Sequence, residues 1–191
     1  MTDPENQEPL EFNSLAGSLL LAHPSLDDPN FCRSVVLISA HSQDDGALGV
    51  VINRPMEQSL AQFDGGFSYS ELSEVPLYIG GPVASRELIL TAWQWRLEEG
   101  RFQLHFGVSP DRAKELALQN PDIDLRGFVG YAGWSSGQLE EELEQGSWVV
   151  IPVNGGAMDI EDTEDLWRAL IGQVSPELRL MAEAPDHPEL N

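Results

Sequence analysis

Positively charged residues are scarce in this sequence of 191 residues. Lys and Arg together number 10, against 32 Asp and Glu, so the formal net charge is −22, and Lys114 is the only lysine. Affinity for nucleic acid and for anionic membrane surfaces comes largely from clustered cations. The charge balance therefore predicts no nucleic-acid partner and no membrane partner.

Cysteine and long apolar runs are also scarce. Cys32 is the single cysteine, which excludes an internal disulfide and gives no sign of an oxidising compartment. The first cation is Arg33, so the positively charged start of a signal peptide is missing, and the apolar run 15–22 is interpreted as a buried strand. No run approaches the roughly 20 apolar residues that span a bilayer. A cytoplasmic location is expected.

The length and the 41% hydrophobic content favour one folded domain. The acidic, proline-containing ends predict tails at residues 1–12 and 184–191, with a single domain over residues 13–183. The region between the tails shows no linker-like change of composition.

Strand patterns dominate, and helices are few. Two apolar runs, 34–40 and 48–52, flank Asp44-Asp45-Gly46 and predict a hairpin. Further strands are predicted at 77–79, 87–93, 102–106, 127–132 and 148–153. Helices are predicted from Pro110 to about Gln119, over about 138–145 and from near Asp162, and the last has an apolar stripe at helical spacing. The pattern favours an α+β domain.

One short motif resembles a catalytic one. Gly133-Trp134-Ser135-Ser136-Gly137 matches G-x-S-x-G and lies between a predicted strand and a predicted helix, as a nucleophile elbow requires. The only histidine after the serine is His187, in the predicted tail. The alternative is that Ser135 caps the helix, with Gln138 completing a capping box. We expect no catalytic residue here and no serine-esterase activity.

Cofactor and metal signatures are missing. The nucleotide-binding glycine motifs do not occur, and the four histidines lack zinc-site spacing. The acidic stretch 159–165 lacks the EF-hand pattern and is better interpreted as a solvated face. We predict no cofactor and no metal. Cys32 beside Arg33 is either redox-sensitive or a quiet half-buried thiol.

Four segments, in this order, together resemble the bacterial YqgE/AlgH family. They are 17–22 with 28–36, 46–55, 78–83, and 130–134 with 138–140 and Trp148. The match spans about residues 13–175. It implies an α+β domain with a strand-rich, barrel-like core and peripheral helices. The AlgH name implies a transcriptional regulator, while the family has no established biochemical activity.

The shared segments contain the candidate site, interpreted as either a binding motif or a structural motif. Its residues are Asn53, Arg54, Pro55, Gly80, Gly81, Pro82, Tyr131, Trp134, Gln138 and Glu140. The first hypothesis is a non-enzymatic regulatory or interaction protein with an unknown protein partner, the oligomeric state being open. The alternative is a small-molecule-binding protein or unrecognised enzyme, with a pocket joining Asn53 and Arg54, Gly80 and Gly81, and Tyr131 and Trp134. Direct DNA binding is disfavoured, since the most basic helix carries only Arg112 and Lys114.

Arg54 directly follows an apolar strand in a chain with few cations. Its guanidinium is predicted to hold a neighbouring segment through a two-pronged bond to a carboxylate, with Glu140 or Glu142 as possible partners. The alternative is a small anionic ligand beside Gly80-Gly81.

Overall fold

A computed structural model describes residues 13–96, 99, 101–153 and 163–183. The predicted tails, His187 and residues 159–162 of the acidic stretch lie outside the described residues. The described residues form nine strands: β1 Ser18–Ala22, β2 Val35–Ser42, β3 Gly46–Val51, β4 Pro55–Ser59, β5 Pro76–Ile79, β6 Val83–Arg96, β7 Arg101–Phe106, β8 Asp124–Trp134 and β9 Trp148–Pro152.

The strands form one sheet, and the described helices lie around it. They are α1 Leu60–Phe63, a 3-10 turn at Gly65–Phe67, α2 Pro110–Gln119, α3 Gln138–Glu144, α4 Thr163–Val174 and α5 Pro176–Glu183. Ser109 caps α2, because its side chain accepts a hydrogen bond from the backbone N–H of Arg112.

The predicted hairpin is confirmed. β2 and β3 pair antiparallel, with a bulge between Ile38 and Ala40. The sheet runs β4-β5-β8-β3-β2-β1-β9, and β6 joins it at β8 and carries β7 on its other side.

The α+β class is confirmed, but the sheet is not closed into a barrel. Within the described part of the chain, β4 and β9 end the strand path and do not pair with each other. The reason lies in β8, which pairs through residues 127–129 with β5 and through 132–134 with β3. Between these two stretches Gly130 has a φ of +75°. The first part of β8 therefore pairs in one portion of the sheet and its last part pairs in another, and the strands do not form a closed ring.

Both faces of the sheet are covered by apolar side chains. One face packs against the predicted stripe of α4, including Leu166, Trp167, Leu170 and Ile171, and Trp167 Nε1 donates to Ala22 O over 2.8 Å. The other face packs against Leu139 of α3. This second layer brings α3 and the ends of β8 and β9 together.

Candidate functional site

Arg54 holds the segment that precedes β2. Its Nη1 donates to Asn30 O over 2.7 Å, and its Nη2 donates to Cys32 O over 3.1 Å. The two-pronged geometry is as predicted, but the acceptors are backbone carbonyls and not a carboxylate. The expectation that Glu140 or Glu142 pairs with this guanidinium was wrong, because both carboxylates bond to other side chains.

Asn53 holds the same segment from the neighbouring position. Its Oδ1 accepts from Val35 N over 2.8 Å, and its Nδ2 donates to Arg33 O over 3.0 Å. The side chain is buried, with 8% of the residue exposed. Arg33 has a φ of +54°, which a residue other than glycine rarely adopts. The amide of Asn53 therefore stabilises an unusual backbone at the start of β2.

Gly80 and Gly81 permit a close approach of two backbones. A Cβ on Gly80 would lie 2.2 Å from Gly130 O, and one on Gly81 would lie 2.3 Å from Tyr131 O. Gly80 N donates to Val129 O over 2.9 Å, so this N–H is not available to an anion. Pro55 and Pro82 lie exposed at the first position of β4 and directly before β6. The motif holds β5 against β8.

Glu142 joins the two tryptophans at the ends of β8 and β9. Its Oε2 accepts from Trp134 Nε1 and from Trp148 Nε1, each over 2.8 Å. Its Oε1 accepts from Gln138 Nε2 over 3.0 Å. Both indoles are 5% exposed, and their rings meet edge to face with centroids 5.9 Å apart. One carboxylate thus satisfies two buried N–H groups.

His41 links the N-terminal segment to α3. Its Nδ1 accepts from Leu15 N over 3.0 Å, and its Nε2 lies 3.0 Å from Glu140 Oε1. Because a backbone N–H can only donate, the neutral ring carries its proton on Nε2 and donates it to Glu140. The His41 side chain is 2% exposed. Sequence reasoning missed this contact, since residues 41 and 140 are far apart in the chain.

Within the part of the chain that the structure describes, no general base is hydrogen-bonded to Ser135. It is exposed, and both its N and its Oγ are hydrogen-bonded to Gln138 Oε1 over 3.1 Å. An amide oxygen is not a general base, so this contact does not activate the hydroxyl. The expected capping box forms only in part, because Gln138 Oε1 accepts from Ser135 N, but Gly137 is the N-cap of α3 and no side chain caps that helix.

An open cleft of about 520 Å³ lies at one end of the sheet. Its floor is a row across four neighbouring strands: Ala40 lies opposite Leu48, Leu48 opposite Gly133, and Tyr131 opposite Val83. Tyr131 and Trp134 are thus brought together in this cleft. The other eight candidate residues do not line it, so the predicted pocket joining them to Asn53, Arg54, Gly80 and Gly81 does not form there.

The described residues contain no group of three or more His, Cys, Asp and Glu side chains placed to hold a metal ion. Cys32 is half-buried with a free thiol. Among the helices that the structure describes, none is long and apolar enough to cross a membrane.

The amino-acid sequence of this α+β domain matches the model of a known family. The family model DUF179, described as AlgH-like, matches residues 19–179. The chain therefore belongs to the AlgH-like family, which confirms the resemblance seen in the sequence.

Individual relatives match over nearly their whole length. A UPF0301 protein of Streptomyces avermitilis is 36% identical, covering 95% of this chain and 97% of the relative. One from Xanthomonas campestris is 34% identical, covering 91% and 96%. The solution structure of AlgH from Pseudomonas aeruginosa superposes with a TM-score of 0.63 at 25% identity, covering 96% of this chain and 99% of that one. Protein DIP2367 from Corynebacterium diphtheriae has the same fold, with a TM-score of 0.63 at 24% identity over 94% and 95% of the two chains.

Proposed function

We propose that this protein is a non-enzymatic regulatory or interaction protein of the cytoplasm that does not bind DNA directly. The observation that carries the proposal is the use made of the shared motif residues. Asn53, Arg54 and Gly80 are each engaged by the protein's own backbone. Groups that are already bonded within the fold are not available to bind and orient a substrate.

The serine motif supports the same proposal. Catalysis by Ser135 requires a base that takes its proton, and the hydroxyl instead donates to the amide oxygen of Gln138. Purified protein is tested on short-chain nitrophenyl esters beside a Ser135→Ala variant. Both are expected to show the same background rate. Turnover well above background that disappears in the variant would contradict the proposal.

The distribution of cations supports the absence of direct DNA binding. On α2, Arg112 pairs with Glu115 over 2.9 Å, and Lys114 lies 3.8 Å from Asp111. The most basic helix therefore has its cations partly neutralised within a chain of net charge −22. A fluorescence-anisotropy titration with duplex DNA at physiological salt is expected to show no saturable binding tighter than about 1 μM, whereas specific sites typically bind at about 10⁻⁸ M or better.

A small-molecule-binding role is the second candidate, and the cleft is the observation that favours it. The cleft combines an aromatic ring, Tyr131, with aliphatic side chains and a carboxylate, Asp45. Ligand sites are commonly apolar and concave with a few polar groups. The cleft is open rather than enclosed, which favours a protein surface over a buried small molecule.

A further inference from the structure

The floor of the cleft leaves apolar side chains uncovered. Val83 is 39% exposed, and Leu48 and Tyr131 are half-buried. The Tyr131 ring lies over Gly133, since a Cβ there would be 3.2 Å from Tyr131 Cε2. Ala40, at the β2 end of the row, is small and exposed, so the apolar side chains of Leu48, Tyr131 and Val83 are accessible from outside.

The rim of the cleft is anionic. Asp44 and Asp45 are exposed on the turn between β2 and β3, and Asp45 lines the cleft. Ser136 Oγ donates to Gln43 O over 2.7 Å and so ties the start of α3 to this turn. β2, β3 and the turn between them contain no Lys or Arg, while β6 carries Arg86 three residues after Val83. The negative charge at the rim is therefore that of Asp45, which lines the cleft, and of Asp44 beside it.

This charge decides which occupant fits. A second copy of the chain brings another net charge of −22 and is repelled, as is nucleic acid or an anionic membrane surface. A cationic partner is attracted over a long range, and apolar side chains are then needed to fill the floor. The strands of the floor are already paired with one another, so an extended segment contacts this face through its alternating side chains.

We propose that the cleft docks a cationic segment of a partner protein, with an apolar side chain seated between Val83, Leu48 and Tyr131. Asp45 Oδ2 accepts from Ser42 Oγ over 3.0 Å, so a Lys or Arg of the same segment meets the other carboxylate oxygen, Oδ1. This inference rests on the proposed function and adds the surface and the chemistry of the partner.

The test selects binders from a random dodecapeptide library displayed on phage, using the full-length chain as bait. Enriched peptides are expected to carry net positive charge and at least one large apolar side chain. A synthetic peptide of the enriched sequence is then titrated by fluorescence anisotropy. Val83→Ser is expected to weaken its binding at least fivefold, and Asp45→Asn to weaken it and reduce its salt dependence. The matched control is Val174→Ser, which alters an apolar side chain of similar exposure, 41%, on α4 and is expected to change affinity less than twofold.

Several results would overturn the docking proposal. They are enrichment of neutral or acidic peptides, no enrichment at all, or equal binding by the Val83→Ser and Val174→Ser variants. Sedimentation showing a dimer that Val83→Ser dissociates would assign the cleft to a second copy. Spermidine competing at the affinity of the peptide would assign it to a small organic cation. None of these results produces ester turnover, so failure of the docking proposal is distinguishable from failure of the non-enzymatic assignment.

Discussion

The substitution Arg54→Lys distinguishes a structural role of the Arg54 guanidinium from a role in binding a ligand. The fork of Arg54 donates to two carbonyls, Asn30 O and Cys32 O, from one rigid plane. A lysine keeps the charge, but its single ammonium on a flexible stem cannot reproduce both bonds in that geometry.

The magnitude follows from the bond that is lost. A hydrogen bond to a charged group contributes about 1.5–3 kcal/mol to stability. Arg54 is half-buried, so solvent screening places the loss at the lower end. We expect Arg54→Lys to lower the free energy of unfolding by about 1–2 kcal/mol. With an m-value of about 2 kcal/mol per molar urea, the midpoint falls by about 0.5–1 M.

Urea melts followed by tryptophan fluorescence measure this change. The matched control is Arg112→Lys on α2, where the guanidinium pairs with Glu115 at an exposed surface and contributes about 0.5 kcal/mol or less. A midpoint for Arg54→Lys no lower than that of the control would refute the structural role. It would make the anionic-ligand alternative the better explanation.

Three further outcomes follow from contacts elsewhere in the fold. Glu142→Ala leaves two buried indole N–H groups without an acceptor and is expected to lower the free energy of unfolding by about 2–4 kcal/mol in urea melts. A loss under about 0.5 kcal/mol would show that Glu142 does not hold the two tryptophans together. Gly80→Ala places a Cβ 2.2 Å from a backbone oxygen and is expected to lower the free energy of unfolding by about 3 kcal/mol. Its control, Gly65→Ala, meets open space and is expected to change that free energy by less than about 0.5 kcal/mol. Equal urea midpoints for the two variants would refute the close approach at Gly80. The hydrogen bond and charge of Arg101 hold the pKa of Glu99 below its ordinary value. An NMR titration of the Arg101→Gln variant is therefore expected to show a higher pKa for Glu99. An unchanged pKa would show that the pair does not form. Because the folded-state pKa is lowered, the stabilisation from Glu99 is present at neutral pH and is lost as the pH falls through that pKa.

Turn residues and the spacing of apolar residues predicted those strands and helices whose formation depends on neighbours in the sequence. The hairpin around Asp44-Asp45-Gly46 and the apolar stripe of α4 were predicted from turn chemistry and helical spacing, and both are confirmed. β6 was predicted only over 87–93, whereas it spans Val83–Arg96. Its first residues lack a strand pattern in sequence, and the strand begins where Val83 pairs with Tyr131 of β8, ahead of a register shift that ends at Leu88.

Contacts between distant segments could not be read from residue types. The two-pronged bond of Arg54 was predicted, but its acceptors are backbone carbonyls, which every residue carries and no sequence pattern marks. Glu142 was considered as a partner of Arg54, while its actual partners are two tryptophans. The i, i+4 spacing from Gln138 to Glu142 was the one signal of that network in the sequence.

The cleft is a product of topology. Its floor combines residues from β2, β3, β6 and β8, and only the order of these strands in the sheet brings Ala40, Leu48 and Val83 together. Tyr131 and Trp134 were identified as site candidates, whereas Leu48, Val83 and Gly133 lie in the shared segments but were not named as site residues. A barrel was implied by the resemblance, whereas β8 changes its pairing partner from β5 to β3 on either side of Gly130, whose φ is positive, and the sheet stays open.

In the proposed function, the shared motif residues hold the fold and the protein acts by binding another protein. Native affinity capture from host cells, followed by mass spectrometry of bound proteins and metabolites, tests both parts together. We expect a protein partner in near-stoichiometric amount, reduced at least fivefold by Val83→Ser and unchanged by Val174→Ser, with no metabolite near one per chain. A metabolite retained at one per chain, and lost in Arg54→Lys while the urea midpoint stays unchanged, would contradict it.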